Sequence, residues 1–451
     1  MRERLRERLA GHEFLRHVLV LMSGTTLAQL LPIAASPIIS RLYSPEEMGI
    51  YTMFMAFVNG LLTVATWRYD LAIVPAADPA EARALVRLSV RLSTITCVVV
   101  GVGLFAAAGP LSAAVGMPAL KPWLAAVGLV AWSYSQVSIF SYWCNRAKNY
   151  RLMSVNRVGQ SVTTTGTQLA FGAAALGTTG LVLSTFLGQV VAGANLFLRT
   201  RKEIYGLPHS PLKAVAREHR KMPLLNAPTA ALDAVRLYGT QLMIGAFFAA
   251  GAIGQFGQAW KLLQTPAGLI NSSLSQVFFQ RLAVTERGQM LGLVRRTIGR
   301  SLLIGVVPFG LIYLLSPPLF PLVFGERWAL AGLIGAALVP WLYANFVTSP
   351  ISLLFVVVRR QGVVFCFGLF FTAAPLTLLA LRHTDLLETI TLLSWLMAAL
   401  LAVFLLLALW VARDYDRGVG TLAMEDAPVD PDAPQEADAA EAQEPESTSR
   451  N

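Results

Sequence analysis

Three ionisable residues stand where a charge is costly. Asp233 and Arg236 are three positions apart in an apolar stretch, so a helix there puts them on one face, and Lys261 sits in the next apolar stretch with no acidic residue in its own run. An ionised side chain at mid-bilayer costs roughly 2.5–3.5 kcal/mol on insertion scales, so such residues face a bundle interior or a wet cavity and are candidate ligands. Each has a plainer reading: Asp233 and Arg236 neutralise one another, and Lys261 snorkels to an interface. Arg68 and Asp70 break the apolar run TWRYDLAIV (Thr66–Val74), as cavity-mouth or ordinary boundary residues, and Arg41 ends an earlier run, to attract anions or to anchor a helix. Asp70 and Asp233 are the acidic members of a set otherwise made of Arg68, Arg236 and Lys261. Carboxylates would suit a cationic drug. Arginine, whose fork holds two oxygens at once, and lysine suit phosphate. The bias is towards an anionic ligand.

Nothing in the sequence assembles catalysis, and no enzyme is expected. Gly101-Val102-Gly103 lies in an apolar run with no strand before it, and there is no GK[ST] phosphate loop, HExxH or GxSxG. The five histidines lie at or outside the apolar runs, and Cys97, Cys144 and Cys366 are far apart without metal or disulfide spacing. No metal or cofactor is expected. The net charge of +10 does not mark a nucleic-acid binder, because its basic residues lie between hydrophobic runs and form no stripe.

The elements that must position these charges are membrane helices. The chain is 55% hydrophobic and 14% charged, against about 25% charged in soluble domains. Eleven of its 26 acidic residues lie from Asp414 to Glu446, too few elsewhere to cover a water-facing surface. A bilayer core takes about 20 mostly apolar residues per helix. Twelve such stretches are predicted, at 17–40, 47–67, 84–108, 120–143, 153–174, 178–199, 223–248, 251–275, 296–320, 329–355, 361–381 and 387–411. No cleavable signal is evident, so the first is expected to stay in the protein. With the N-terminus cytoplasmic, 30 of the 36 Lys and Arg fall on that side. Arg41, Lys121, Arg327 and Arg382 fall on the other, and Arg236 and Lys261 within spans. Lys and Arg favour cytoplasmic loops, so both termini are expected in the cytoplasm.

The predicted organisation is all-α: a cytoplasmic arm (1–16), an N-lobe of six spans (17–199), a basic cytoplasmic linker (200–222), a C-lobe of six spans (223–411) and a disordered acidic tail (412–451). Ile39, Gly49 and Tyr51 stand 205 positions before Ile244, Gly254 and Phe256, the echo either of an internal repeat or of two similar hairpins. Two six-span halves about an axis along the membrane normal, with the substrate between them, is a known transporter plan. Span one, with Ser23, Thr25, Thr26, Gln29, Pro32 and Pro37, and span five, with Gln160, Thr163, Thr164, Thr167 and Gln168, are polar enough to face protein or water.

The stretches SRLYSPEEMGIYTMF (Ser40–Phe54), WRYDLAIVPAADPAEA (Trp67–Ala82) and GAIGQFGQAWKLLQTPAGLINSSLSQVFFQRLA (Gly251–Ala283) resemble bacterial polysaccharide-repeat flippases. These are the Wzx-type, O-antigen members of the multidrug/oligosaccharidyl-lipid/polysaccharide exporter superfamily. The resemblance implies two six-helix lobes in a V around a central cavity in the inner membrane. It implies that undecaprenyl-diphosphate-linked oligosaccharide passes from the cytoplasmic to the periplasmic leaflet by alternating access, for O-antigen, capsule or exopolysaccharide synthesis. H+ and Na+ are candidate coupling ions, and membrane lipids, a polysaccharide polymerase and chain-length proteins candidate partners. On that plan Arg236 and Lys261 hold the diphosphate, and Asp233 carries a coupling proton or pairs with Arg236. Peptidoglycan-precursor flippases of the superfamily usually have fourteen spans, two more than here. The alternatives are a multidrug exporter of the same superfamily, disfavoured by the basic set, and a polymerase or ligase, disfavoured by the lack of a long loop bearing acids or bases.

Overall fold

A computed structural model of the chain describes residues 23–283, 285, 288–358, 360–382 and 385–418, without the side chains at 225, 229, 233, 269, 270, 272–274, 276, 277, 279, 280, 283, 356 and 361. The N-terminal arm (1–16) and the tail beyond 418 lie outside the described residues. The described chain is helical, with no strand. Its principal helices are α1 (23–42), α2 (Pro45–Ala65), α3 (Pro79–Ala106), α4 (Val127–Arg146), α5 (Tyr150–Ala173) and α6 (Gly177–Tyr205) in the first half. The second half has α7 (Ala227–Phe247), α8 (Ala250–Ala283), α9 (Met290–Phe324), α10 (Ala329–Ala337 and Val339–Thr348), α11 (Gln361–Leu381) and α12 (Leu386–Asp416).

Local sequence sets these boundaries. Ser44 accepts from the Glu47 backbone N–H while the Glu47 carboxylate accepts from that of Ser44, a capping box followed by Pro45 at the first helical position. Asp78 and Asp385 cap α3 and α12 in the same way, with one side-chain oxygen each. Among the described residues, length and apolarity alone single out six spans, or eight when each of two bent helix pairs, at 51° and 44°, counts as one. Those that fail the test include α5, α7 and α8, whose polar residues lower their hydropathy, so twelve spans are not counted by apolarity alone. Two expected boundaries move. The linker is partly helical, since α6 runs on to Tyr205 and a short helix spans Leu212–Glu218. The acidic tail does not begin at 412, because α12 continues to Asp416, whose carboxylate accepts from the N–H groups of Gly288, Met290 and Leu291 at 2.8–3.1 Å. Asp416 thus satisfies the orphan donors that open α9.

The two halves are joined at one end. One core cluster draws on both, with Met53 and Phe54 of α2, Leu120 and Leu124 of the first half, and Ile253, Phe256, Phe324 and Trp328 of the second. Two further clusters each belong to one half: Ile73, Leu85, Ile139 and Leu196 in the first, Val294, Phe355, Phe404 and Val411 in the second. The seam is α2 against α8. A Cβ on Gly49 would lie 1.7 Å from the Ala250 carbonyl oxygen, and one on Gly254 would lie 1.9 Å from that of Pro45. Pro45 and Ala250 are themselves 205 positions apart, as are Gly49 and Gly254, so the two contacts are one contact seen from either side. Such reciprocity is what a two-fold axis imposes, and it makes the 205-residue echo a structural repeat. Further along the same helices, a Cβ on Gly60 or Gly268 would meet nothing within 4 Å. The close backbone contact between the halves therefore lies at the N-terminal ends of α2 and α8.

Candidate functional site

Lys261 lies on α8, past the seam with α2, and Arg236 lies on α7. Lys261 follows Gly254 and Gly257 by seven and four positions, so it continues the stripe of α8 that packs on α2. Gly257 is against Thr52, where an added Cβ would lie 2.7 Å from the hydroxyl. One turn on, the Lys261 side chain is exposed. Its neighbour Trp260 stacks on Phe256, with ring centroids 5.9 Å apart, and tilts against Trp341 at 4.7 Å.

Arg236, on α7, is half-buried, with its guanidinium over the Phe371 ring 5.6 Å from the centroid. It borders a 490 Å³ cavity within the C-lobe, beside Asn345, Thr348, Phe367 and Phe371, and a narrow gap shared with Gln241, Trp260 and Trp341. Lys261 is not among the residues lining the larger cavity. The two cations therefore flank Trp260 and share no single chamber wall. The side chain of Asp233 lies outside the described residues.

The other expected residues stand elsewhere. Arg68 opens a one-turn helix, Tyr69–Ala72, at the far end of α2, and both Trp67 and Arg68 have left-handed backbones (φ 52° and 63°). Non-glycine residues in that region cost about 1–3 kcal/mol each. The Arg68 Nε is buried with no hydrogen-bond partner among the described residues, and the buried Asp70 carboxylate accepts from the Thr66 hydroxyl at 2.7 Å. Burial pushes the Asp70 carboxyl above its ordinary value, while the Thr66 hydroxyl and Arg68 pull the other way. Arg41 lines neither of the cavities beside Arg236. It ends α1 at the joined end, where its Nη2 donates to the Val323 carbonyl at 3.4 Å. Beside it the Trp328 indole N–H donates to the Ser40 carbonyl at 2.8 Å, and the Ser40 hydroxyl to the Phe324 carbonyl at 3.4 Å. Trp328 is wholly buried and bolts one lobe to the other.

Sequence reasoning missed the Phe256–Trp260–Trp341 stack, the Trp328 bolt and Arg157. Arg157, counted there among cytoplasmic charges, lies two turns inside α5 and donates to the Thr25 hydroxyl of α1 at 2.5 Å. Its signal was its place after the capping residue Asn149, which starts the helix before it.

A family model described as "Polysaccharide biosynthesis protein" matches residues 38–331. No protein of curated function matches the chain by sequence. Among solved structures, the lipid II flippase MurJ in an inward closed conformation aligns with TM-score 0.70 at 12% identity, over 90% of this chain and 93% of its own. An inward-facing multidrug resistance MATE family transporter of the MOP superfamily aligns with TM-score 0.68 at 14% identity, over 89% of this chain and 98% of its own. A MOP superfamily transporter from Pyrococcus furiosus, described as having a binding pocket of reverse polarity, aligns with TM-score 0.60 at 14% identity, over 90% and 95%. At these identities the likeness carries the fold alone: the chain shares the helical fold of these three structures.

Proposed function

The chain belongs to the polysaccharide biosynthesis protein family, and on that premise we propose that it flips undecaprenyl-diphosphate-linked oligosaccharide from the cytoplasmic to the periplasmic leaflet of a bacterial inner membrane. The observation that carries the proposal is an exposed cation beside the seam between the halves: α2 and α8 meet at Gly49 and Gly254, and the exposed Lys261 follows the Gly257–Thr52 contact by one turn of α8. With the N-terminus cytoplasmic, α2 and α8 start at the periplasmic side, so the joined end is outward and the cleft opens to the cytoplasm. There Lys261 takes the diphosphate, Arg236 reaches it from the far side of Trp260 through the gap it shares with Trp260 and Trp341, the two indoles offer sugar rings an apolar face, and the polyprenyl chain stays among lipid tails.

Transport is then a rocking of one lobe against the other about the two-fold seam. Breaking the Ser40–Trp328 and Arg41–Val323 bonds opens the outer end, and contact between the far ends of α2 and α8 closes the inner one. H+ or Na+ supplies the driving force, and the product passes to a polysaccharide polymerase and its chain-length partner. The chain itself performs no bond chemistry in this scheme. The fold likeness to a multidrug transporter makes drug export the second reading, and the cationic cleft favours the first.

The test uses the full chain in sealed vesicles carrying a polyprenyl-diphosphate oligosaccharide in one leaflet, with transfer read by access of an impermeant lectin. Lys261→Gln and Arg236→Gln are expected to slow transfer about tenfold or more at normal protein levels, the loss of one charge-assisted contact each. Transfer at the wild-type rate by both variants removes them from the site, and export of a lipophilic cation without transfer of the lipid-linked sugar overturns the assignment in favour of a drug exporter.

A further inference from the structure

A second cavity lies outside the cleft, at the ends of α4 and α6 and the start of α5. Its volume is 920 Å³, and its wall carries Lys148, Arg151 and Arg199 against a single carboxylate, Glu203, with Asn195 between. Glu203 is occupied, since its Oε2 accepts from the Trp143 indole N–H at 3.1 Å. Arg199 is held in place: its Nε donates to the Asn195 Oδ1 at 3.1 Å, and the Asn195 amide donates in turn to Asn156 at 2.8 Å. The other guanidinium nitrogens of a side chain fixed this way stay available to a ligand with two oxygens.

The turn that brings Lys148 to this wall is a costly one. Lys148 has φ 54°, a left-handed backbone that glycine adopts at no penalty. The turn is pinned by Lys148 N–H to Asn145 carbonyl and Asn149 N–H to Cys144 carbonyl bonds, at 3.0 and 2.8 Å, and by the Asn149 side chain capping α5. An ammonium is thus kept at a position where the backbone alone would favour glycine.

The surroundings say which anion fits. Val155, in the cavity wall, and Val162, two turns further along α5, are 59% and 53% exposed, and Val191 and Leu198 on α6 are 47% and 58% exposed. An apolar exposed surface runs up both helices from a cationic hollow, the profile of a lipid-facing groove that ends at the headgroup layer. We propose that this cavity binds the phosphate headgroup of an anionic phospholipid, whose acyl chains lie on the Val155–Val162 and Val191–Leu198 stripes. The site is independent of the interlobe cleft, since it rests on α4, α5 and α6 of one lobe.

The experiment titrates the purified full-length chain in detergent with phosphatidylglycerol, phosphatidylcholine or inorganic phosphate, and reads bound lipid by native mass spectrometry. Phosphatidylglycerol is expected to bind in preference to phosphatidylcholine. Lys148→Gln, Arg151→Gln and Arg199→Gln should each weaken it about fivefold, since a cation near an anionic surface contributes about 1 kcal/mol. Arg217→Gln, on the linker helix outside the cavity, should leave it unchanged. Thermal unfolding checks that each variant folds, and the three single variants test the site independently of one another. Equal binding of the two lipids, unchanged phosphatidylglycerol affinity in folded variants, or displacement of the lipid by millimolar inorganic phosphate would each overturn the assignment, the last by making a soluble anion the occupant.

Discussion

The seam between the lobes can be wedged open by a single methyl group. In Gly254→Ala the added Cβ falls 1.9 Å from the Pro45 carbonyl oxygen and 2.9 Å from the Gly49 nitrogen, both backbone atoms with no rotamer to escape into. Relief to an ordinary contact at 3.4 Å requires a shift of about 1.5 Å between α2 and α8. Overpacking of this kind costs typically about 1–3 kcal/mol. The cost falls on the conformation closed at that end and is relieved in one opened there, so the population ratio moves about 5- to 150-fold towards the opened state. The assay is the labelling rate of Ser40→Cys, at a position wholly buried in the closed seam, by a membrane-impermeant maleimide, with the exposed Cys366 replaced. Gly254→Ala should raise the rate several-fold to about a hundredfold. Gly49→Ala should match it, because its contact is the same one by symmetry, and the double variant should fall short of the sum, since one opening relieves both clashes. Gly268→Ala, which meets nothing within 4 Å, is the control. Wild-type labelling in Gly254→Ala, or labelling raised as much in Gly268→Ala, would refute the close contact as the closure of that end.

Three other outcomes follow from particular side chains. Trp328→Phe removes the donor to the Ser40 carbonyl at 2.8 Å and leaves a buried acceptor unmet, at about 1–3 kcal/mol; labelling of the Ser40→Cys thiol should rise here too, and an unchanged rate would show that the bond does not hold the lobes. Asp416→Ala strips the acceptor from three N–H groups at the start of α9 and should lower stability by about 1–2 kcal/mol, seen as a drop in thermal unfolding temperature that Asp416→Asn only partly repeats. Asp70 carries a folded-state carboxyl value raised by burial, so the folded chain holds its proton in a window above the ordinary value of 3.8 where the unfolded chain has lost it. Stability then falls as pH rises through that window. Asp70→Asn should unfold near the wild-type temperature below the window and above it at neutral pH, and a gap that stays constant with pH would contradict the burial argument.

Much of the fold was legible because lipid imposes one rule, that a span be apolar and helical. The starts of α2 and α8 fall within two residues of expectation, and the S-P-E-E signature explains the first. Tertiary partners left no such mark. Arg236 meets Phe371, 135 positions away, and no local pattern pairs them. Arg41 read as an anchor or a lure for anions, yet its partner is a carbonyl at the end of α9. Arg157 was counted with the cytoplasmic charges, and no local pattern pairs it with Thr25, 132 positions away. The acidic tail misled at its start for a related reason: Asp414 and Asp416 have the composition of the disordered run that follows. Asp414 in fact pairs with Arg360 at 2.6 Å, and Asp416 caps a helix.

The repeat was the faintest signal and the most informative, since residues 205 apart touch across the axis. It also shows where the halves differ. Counted back by 205, Lys261 falls on Ala56, Arg236 on Leu31, and Arg157 counted forward falls on Gly362. Backbone contacts along the seam repeat, whereas the charges do not. In the proposed rocking motion each lobe rolls on the other without losing contact, which needs matched packing at the axis, and the glycines at 49 and 254 are matched in this way. The proposed ligand, with one diphosphate and one glycan, has no two-fold symmetry, so under that proposal duplicated cations would present a second anion site with nothing to fill it, at a desolvation cost each time the cleft closed. Lys261 opposite buried Ala56 is the arrangement expected when the packing must be symmetric and the cargo is not.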